Sequence, residues 1–170
     1  MRYHNITKDD MLNGTGLRVV LWVAGCLHAC KDCHNPVTWG INGGLLFDEA
    51  AKQELFTELS KNHIEGITLS GGDPLHPVHR EEIGKLMEEI KENFPHKNIW
   101  LYTGYSWEEI SSLPYIMLID TLVDGKFERD LKDPNLFWRG SSNQKVIDVR
   151  KTLELKQIIE LNSNSDRDHL

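Results

Sequence analysis

Short apolar runs alternate with amphipathic segments along most of this chain. Four of the runs are rich in β-branched and aromatic residues, and each is followed by a glycine or an aspartate, a pattern that predicts buried strands. These runs cover residues 17–24, 66–70, 98–103 and 115–123. A last strand is predicted over 141–149.

The segments between these runs carry helix signals. Asp48 has the side chain of an N-cap and begins a helix that we expect to run to about residue 62. Apolar residues at helical spacing mark the next segment, which Pro95 ends. Ser106 and Glu109 have capping-box spacing, which predicts a short helix. The predicted longer helices cover 48–62 and 78–94, with weaker helical character over 151–161.

Strands that alternate with helices indicate an α/β fold with a mainly parallel sheet. A complete eight-unit barrel takes about 250 residues, and this chain has 170. We therefore predict an incomplete (β/α) barrel, in which helices lie outside a mainly parallel, curved sheet. This domain is expected to span 1–150. A C-terminal extension over 151–170 follows, and its polar last part, 162–170, is expected to be disordered.

Charge and hydropathy argue against several classes of function. The chain has 19 Lys and Arg against 26 Asp and Glu, a net charge of −7. This balance argues against binding to nucleic acid or to an acidic membrane surface. The longest apolar runs are far shorter than the roughly 20 residues that span a membrane. Because the N-terminus also lacks the apolar core of a signal peptide, we expect a cytoplasmic protein.

Four unusual loops follow the predicted strands. In α/β folds the loops at the carboxyl ends of parallel strands carry the ligands. Because these four loops are expected to meet on one face, they predict a single site. They are a cysteine-containing loop from residue 26, a Gly-Gly-Asp-Pro turn at 71–74, a Gly-Tyr pair at 104–105 and an Asp-Gly-Lys turn at 124–126.

The first of these loops contains all of the cysteines, Cys26, Cys30 and Cys33. An odd, clustered set does not resemble a disulfide framework. Three thiolates on one loop could hold an iron–sulfur cluster and leave one iron open to a substrate. They could also bind zinc, with a histidine as fourth ligand, or Cys30 and Cys33 could form a dithiol redox pair. The candidate zinc histidines are His28, His34 and His63.

The motifs of the chain resemble those of a known family. The Cys-x-x-x-Cys-x-x-Cys spacing, followed by Gly-Gly-Asp-Pro after the second strand, resembles the radical S-adenosylmethionine (SAM) enzymes. Further motifs resemble the activating enzymes of anaerobic (class III) ribonucleotide reductases, over roughly residues 1–145. These motifs are Asn13-Gly14-x-Gly16, the segment 70–76, Trp100-x-Tyr-Thr-Gly-Tyr105, the segment 123–127 and the segment 138–144.

The resemblance implies a cofactor set and a reaction. It implies a 4Fe–4S cluster bound by Cys26, Cys30 and Cys33, with SAM on the fourth iron. Reductive cleavage of SAM would give a 5′-deoxyadenosyl radical, which would abstract hydrogen from a glycine of the reductase. No side chain is expected to be catalytic beyond the cluster and SAM. The implied SAM-binding residues are Asp32, Cys33, His34, Gly71, Gly72, Asp73 and Lys126.

Individual roles follow from that resemblance. Asp73 would accept a hydrogen bond from the ammonium group of SAM, Lys126 would reach its carboxylate, with Asp124 orienting the site, and Asp32 to His34 would lie near the adenine.

The resemblance also implies partners. These are the large glycyl radical subunit of the anaerobic ribonucleotide reductase, and a reduced flavodoxin or ferredoxin as electron donor. Exposed aromatic residues are candidate anchors for the reductase, namely Trp39, Tyr105 and Trp138. Two alternatives remain: an activase of another glycyl radical enzyme, of the pyruvate formate-lyase type, and a zinc-binding interaction module.

Overall fold

A computed structural model describes residues 1–161; the disorder expected for 162–170 lies outside the described residues. The described chain forms one seven-stranded sheet with the strand order β3-β1-β2-β4-β5-β6-β7. The strands are β1 (Arg2–Asp10), β2 (Arg18–Val23), β3 (Leu45–Leu46), β4 (Gly66–Gly71), β5 (Asn98–Tyr102), β6 (Thr121–Asp124) and β7 (Lys145–Asp148). The α-helices are α1 (Glu49–Leu59), α2 (Arg80–Asn93), α3 (Trp107–Ile110) and α4 (Val149–Leu155).

The centre of the sheet is parallel and its flanks are antiparallel. Strands β2, β4, β5 and β6 run parallel to one another. On one side β1 pairs antiparallel with both β2 and β3, and on the other side β7 pairs antiparallel with β6. The sheet therefore ends at two edges and does not close. The predicted α/β class and the parallel centre are confirmed.

The two faces of the sheet have different cores. Successive side chains of a strand point to opposite faces, and β5 shows the consequence. Ile99 and Leu101 join the large apolar core that α1 and α2 cover, whereas Trp100 joins a small cluster with Val123 and Val146 on the other face. The helices thus stabilise one face, and the second face is less extensively covered in the described chain.

The local helix signals give the observed helix starts. Asp48 caps α1 by accepting a hydrogen bond from the Ala51 amide at 2.9 Å. At α3 the Glu109 carboxylate accepts from the Ser106 amide at 2.7 Å, which confirms the capping box. Each of these signals acts over three residues, so tertiary packing is not needed to specify it.

Two predictions about strands need correction. The strand predicted over 115–123 is shorter, because residues Ile116–Leu118 form a 3-10 turn and β6 begins only at Thr121. Before β6, Tyr115, Ile116 and Ile119 are buried in the core on the helix-covered face. This buried connection gives the apolar pattern that resembles a strand. Strands β1 and β3 were not predicted, since β1 has a mixed polar sequence and β3 has only two residues, Leu45 and Leu46.

Residues 149–161 pack against the end of the sheet. The helix α4 begins at Val149, and the chain then returns along β7, where the Leu161 amide donates to the Val146 carbonyl at 2.8 Å. In the part of the chain that the structure describes, no helix is both long enough and apolar enough to cross a membrane.

Candidate functional site

The four loops at the carboxyl ends of the parallel strands meet, as predicted, and hydrogen bonds join them. The Asp73 amide donates to the Gly25 carbonyl at 2.7 Å, which joins the loop after β4 to the start of the cysteine loop. The Gly104 amide donates to an Asp73 carboxylate oxygen at 3.0 Å. The Gly125 amide donates to the Tyr105 carbonyl at 2.9 Å. These bonds make one continuous rim.

The cysteine loop coils tightly after β2. Ala29 and Asp32 both have positive φ, at 47° and 58°, and the Cys33 amide donates to the Cys30 carbonyl at 3.1 Å. All three cysteines are free thiols, and all three residues are half-buried. The three thiols therefore lie on one short loop at the rim, where a cluster could bind them.

The surroundings of the thiols differ. The Asn35 amide donates to the Cys33 sulfur at 3.4 Å. Burial raises the pKa of the Cys26 thiol, so a bound iron has to displace its proton. Among residues 1–161, no three His, Cys, Asp or Glu side chains are grouped as a site for a single metal ion.

The two glycines after β4 leave the backbone bare beside the cysteine loop. Gly71 has φ +109°, and a Cβ there would lie 2.5 Å from the Val23 backbone nitrogen. A Cβ on Gly72 would lie 2.4 Å from the Gly25 carbonyl oxygen. Side chains at these positions would collide with the backbone of β2 and its loop. The Gly-Gly pair is therefore required for the close approach of this segment to β2 and the cysteine loop.

Asp73 lies at the centre of the rim and is almost completely buried, with 1% of the residue exposed. Its carboxylate accepts from four donors, which together can fill its lone pairs. The donors are the Leu75 amide at 2.8 Å, the Thr103 hydroxyl at 2.9 Å, the Gly104 amide at 3.0 Å and His28 Nε2 at 2.6 Å. Its predicted contact with the ammonium group of SAM stays a prediction, and it requires one donor to leave.

The Asp-Gly-Lys turn is held by the segment 138–144. The Gln144 side-chain amide donates to the Gly125 carbonyl at 2.9 Å, and the Asn143 amide to the Lys126 carbonyl at 2.8 Å. The Lys126 side chain is exposed. Asp124 is buried and accepts from the Trp107 amide at 2.8 Å, and burial raises the pKa of its carboxyl. Asp124 therefore anchors the start of α3, while the contact predicted for Lys126 stays a prediction.

Asp32 and His34 lie on the outer side of the cysteine loop. Asp32 pairs with Arg129 across a distance of 3.0 Å between Oδ2 and Nε, and both side chains are more than half exposed. His34 is exposed and borders a cleft of about 390 Å³ that Trp22 and Thr38 also line. Their predicted proximity to the adenine of SAM stays a prediction.

Sequence reasoning missed two roles at the rim. The sequence predicts His28 as a candidate zinc ligand and Thr103 as the end of a strand within a family motif, and the structure shows that both donate to the Asp73 carboxylate. A polar residue directly after an apolar strand is the signal that could have singled out Thr103. The three candidate aromatic anchors are half-buried rather than exposed, which corrects that expectation; they are Trp39, Tyr105 and Trp138.

Comparisons with known proteins agree with this arrangement. A family described as 4Fe-4S single cluster domain matches residues 12–147, most of the described chain. The class of protein is therefore that of the single-cluster iron–sulfur proteins, and the cysteine loop contains all of the cysteine ligands that the chain can offer.

The relatives define the family more narrowly. Over 146 residues, 48% are identical to the anaerobic ribonucleoside-triphosphate reductase-activating protein of Enterobacteria phage T4, with 86% of this chain and 93% of the relative covered. The protein of the same name from Escherichia coli K12 is 46% identical over 154 residues, which cover 88% of this chain and 100% of the relative. The protein of the same name from Haemophilus influenzae is 43% identical over 148 residues, which cover 85% of this chain and 96% of the relative. This chain belongs to the family of anaerobic ribonucleoside-triphosphate reductase-activating proteins, as its motifs predicted.

Proposed function

We propose that this chain activates an anaerobic ribonucleoside-triphosphate reductase by radical SAM chemistry. The observation that carries the proposal is the pairing of three free thiols on one loop with a bare glycine backbone beside it, in a chain of this family. When bound, the cluster and SAM supply the reductive cleavage that gives methionine and a 5′-deoxyadenosyl radical, which removes a hydrogen atom from a glycine of the reductase.

Cys26, Cys30 and Cys33 hold the cluster as thiolates in this proposal. Because three ligands leave one iron without a protein ligand, that iron can take the amino and carboxylate groups of SAM. The Asn35 amide, which donates to the Cys33 sulfur, would help to fix the position of this ligand. The family described as 4Fe-4S single cluster domain supports a cluster rather than a single zinc ion.

The methionine part of SAM lies against the loop of Gly71, Gly72 and Asp73 in this proposal, since the backbone of that loop packs directly beside the cysteine loop. Lys126 extends from the turn after β6 and can reach the carboxylate of SAM. The adenine lies beside Asp32, Cys33 and His34 on the outer side of the cysteine loop. These residues position the cofactor, while the cofactor supplies the radical chemistry.

The partner and the fold are linked in the proposal. The sheet is open at two edges, so a site at its rim cannot exclude water from a radical by itself. We therefore assign the large glycyl radical subunit of the reductase to the open side, where its glycine loop would complete the site. A reduced flavodoxin or ferredoxin in the cytoplasm would supply the electron. The names of the relatives support the reductase over the pyruvate formate-lyase type of partner.

An anaerobic turnover assay tests the proposal. The chain is reconstituted with iron and sulfide, reduced, mixed with SAM, and assayed for 5′-deoxyadenosine and, with the reductase present, for the glycyl radical by electron paramagnetic resonance. Wild type should give both products, and Cys30→Ala should give neither. Leu27→Ala is the matched control, since Leu27 lies in the same loop with its side chain 65% exposed. A wild-type chain that takes up no iron and makes no product would overturn the proposal.

A further inference from the structure

One buried contact joins the cysteine loop to the glycine loop through side chains. His28 lies between the first two cysteines, and its Nε2 lies 2.6 Å from Asp73 Oδ2. The side chains are only 7% and 2% exposed. A hydrogen bond to a buried carboxylate is shielded from water, and removal of one partner leaves the other unsatisfied. This contact is therefore a strong constraint on the position of the loop.

The His28 ring occupies a pocket shaped for it. Gly104 lies so close that a Cβ there would be 2.3 Å from His28 Cδ2. Tyr105 packs edge-on against the ring, with centroids 4.6 Å apart and planes at 77°. Gly104 leaves room for the imidazole ring, and Tyr105 packs against it. Together they hold the ring in a single position.

The acceptor of this bond is itself immobile. Asp73 is held by the Leu75 amide within its own loop, and by the Thr103 hydroxyl and the Gly104 amide after β5. Its backbone carbonyl also accepts from His79 Nε2 at 2.8 Å. The carboxylate is thus fixed to two neighbouring strands, and whatever bonds to it takes its position from the sheet.

We propose that His28 is a positioning residue, which sets the cysteine loop at a defined distance from the Gly71–Asp73 loop by bonding to Asp73. This inference rests on the proposed function, because the distance it sets is that between the cluster and SAM. The lone pairs of the Asp73 carboxylate are occupied by its four donors. Asp73 therefore influences SAM binding indirectly, by holding His28 and so the position of the cysteine loop. The bond between the cofactor-bearing loops is made by the chain itself and does not need the cofactors.

The test compares His28→Ala and His28→Gln with wild type and with His96→Gln, a control at an exposed histidine after α2. In the reconstituted protein we measure iron content, the dissociation constant of SAM, and the change that SAM causes in the resonance spectrum of the reduced cluster. His28→Ala should bind SAM about 10- to 100-fold more weakly, a loss of the size that follows when a partner that orients metal ligands is removed. His28→Gln, which keeps a donor, should recover part of this loss.

A second variant keeps the inference testable if His28→Ala loses its cluster. Gly104→Ala keeps the imidazole but places a methyl group against it, and it should weaken SAM binding in the same way. Gly40→Ala is its control, since a Cβ on Gly40 has no neighbour within 4 Å. In the protein without iron, amide hydrogen exchange over residues 26–34 should be faster in His28→Ala and Gly104→Ala than in either control.

The outcomes separate this inference from the proposed function. If wild type cleaves SAM and His28→Ala binds SAM as tightly or more tightly with unchanged hydrogen exchange, the positioning role is wrong. Tighter binding would mean that His28 competes with the ammonium group of SAM for Asp73. If wild type takes up iron and never cleaves SAM, the proposed function is wrong, and this role is wrong with it.

Discussion

Two side-chain pairs connect the cysteine loop to the rest of the protein, one on its inner side and one on its outer side. The inner pair is His28 and Asp73, 2.6 Å apart, with side chains 7% and 2% exposed. The outer pair is Asp32 and Arg129, 3.0 Å apart, with side chains 57% and 55% exposed. The two pairs are similar in their atoms and distances, and they differ in their contact with water.

That difference decides how much each pair contributes. An exposed ion pair is screened by water and salt and contributes about 0.2–1 kcal/mol. Changing one partner of a buried hydrogen-bonded pair costs about 1–3 kcal/mol, and more when a charge is involved, because the other partner stays buried without its bond. The inner pair should therefore determine where the cysteine loop lies, while the outer pair should have little influence.

The largest effect is expected when the acceptor of the inner pair is changed. Asp73→Asn keeps the size of the side chain but places an amide NH₂ group against donors, so at least one of the four hydrogen bonds is lost. We expect the free energy of unfolding to fall by about 3–5 kcal/mol. Urea unfolding of the protein without iron measures this directly.

The matched control is the same change in the outer pair, Asp32→Asn. It should alter the free energy of unfolding by less than about 1 kcal/mol. Equal losses in Asp73→Asn and Asp32→Asn would show that burial does not distinguish the two pairs.

A smaller effect is expected from the histidine behind Asp73. Burial lowers the pKa of His79 below its ordinary value of 6.5, and its Nδ1 is buried without a hydrogen-bond partner. The unfolded chain therefore binds a proton at this position more readily than the folded chain. The contribution of neutral His79 to the free energy of unfolding is fully present above about pH 6.5. It is lost as the pH falls through the lower pKa of His79 in the folded chain. Urea unfolding between pH 7.5 and about 5 should show this decline in the protein without iron.

His79→Gln checks the origin of that decline, because it removes the titrating group and keeps a donor for the Asp73 carbonyl. Its stability should decrease less steeply with falling pH than that of wild type. Some decline should remain, since burial also lowers the pKa of His76. An identical slope in the two proteins would assign the pH dependence to other groups.

The smallest effect is expected for the partner residue of the outer pair. Arg129→Ala should change the free energy of unfolding by less than about 1 kcal/mol, and by less still at high salt, where exposed charges are screened. Urea unfolding at low and high salt measures both values. A loss as large as that of Asp73→Asn would mean that the outer pair also holds the loop.

Much of the architecture was predictable because its signals are local. The Asp48 cap and the Ser106–Glu109 capping box act over three residues, and both were found where the sequence placed them. The buried central strands were recognised by their apolar runs, which a parallel strand covered on both faces requires. Strand β1 and the edge strand β3 were not recognised, because β1 has a mixed polar sequence and β3 has only two residues, and both obtain their order by pairing with other segments.

The sequence by itself determined the chemistry of this protein: three cysteines at a set spacing, a Gly-Gly-Asp turn after a strand, and motifs that identified the family. The partners inside the site were decided by the tertiary structure alone. His28 and Asp73 lie 45 residues apart along the chain, and no local pattern indicates that they meet. Their contact exists because parallel strands bring the ends of distant segments to one rim, where a buried carboxylate must find its donors.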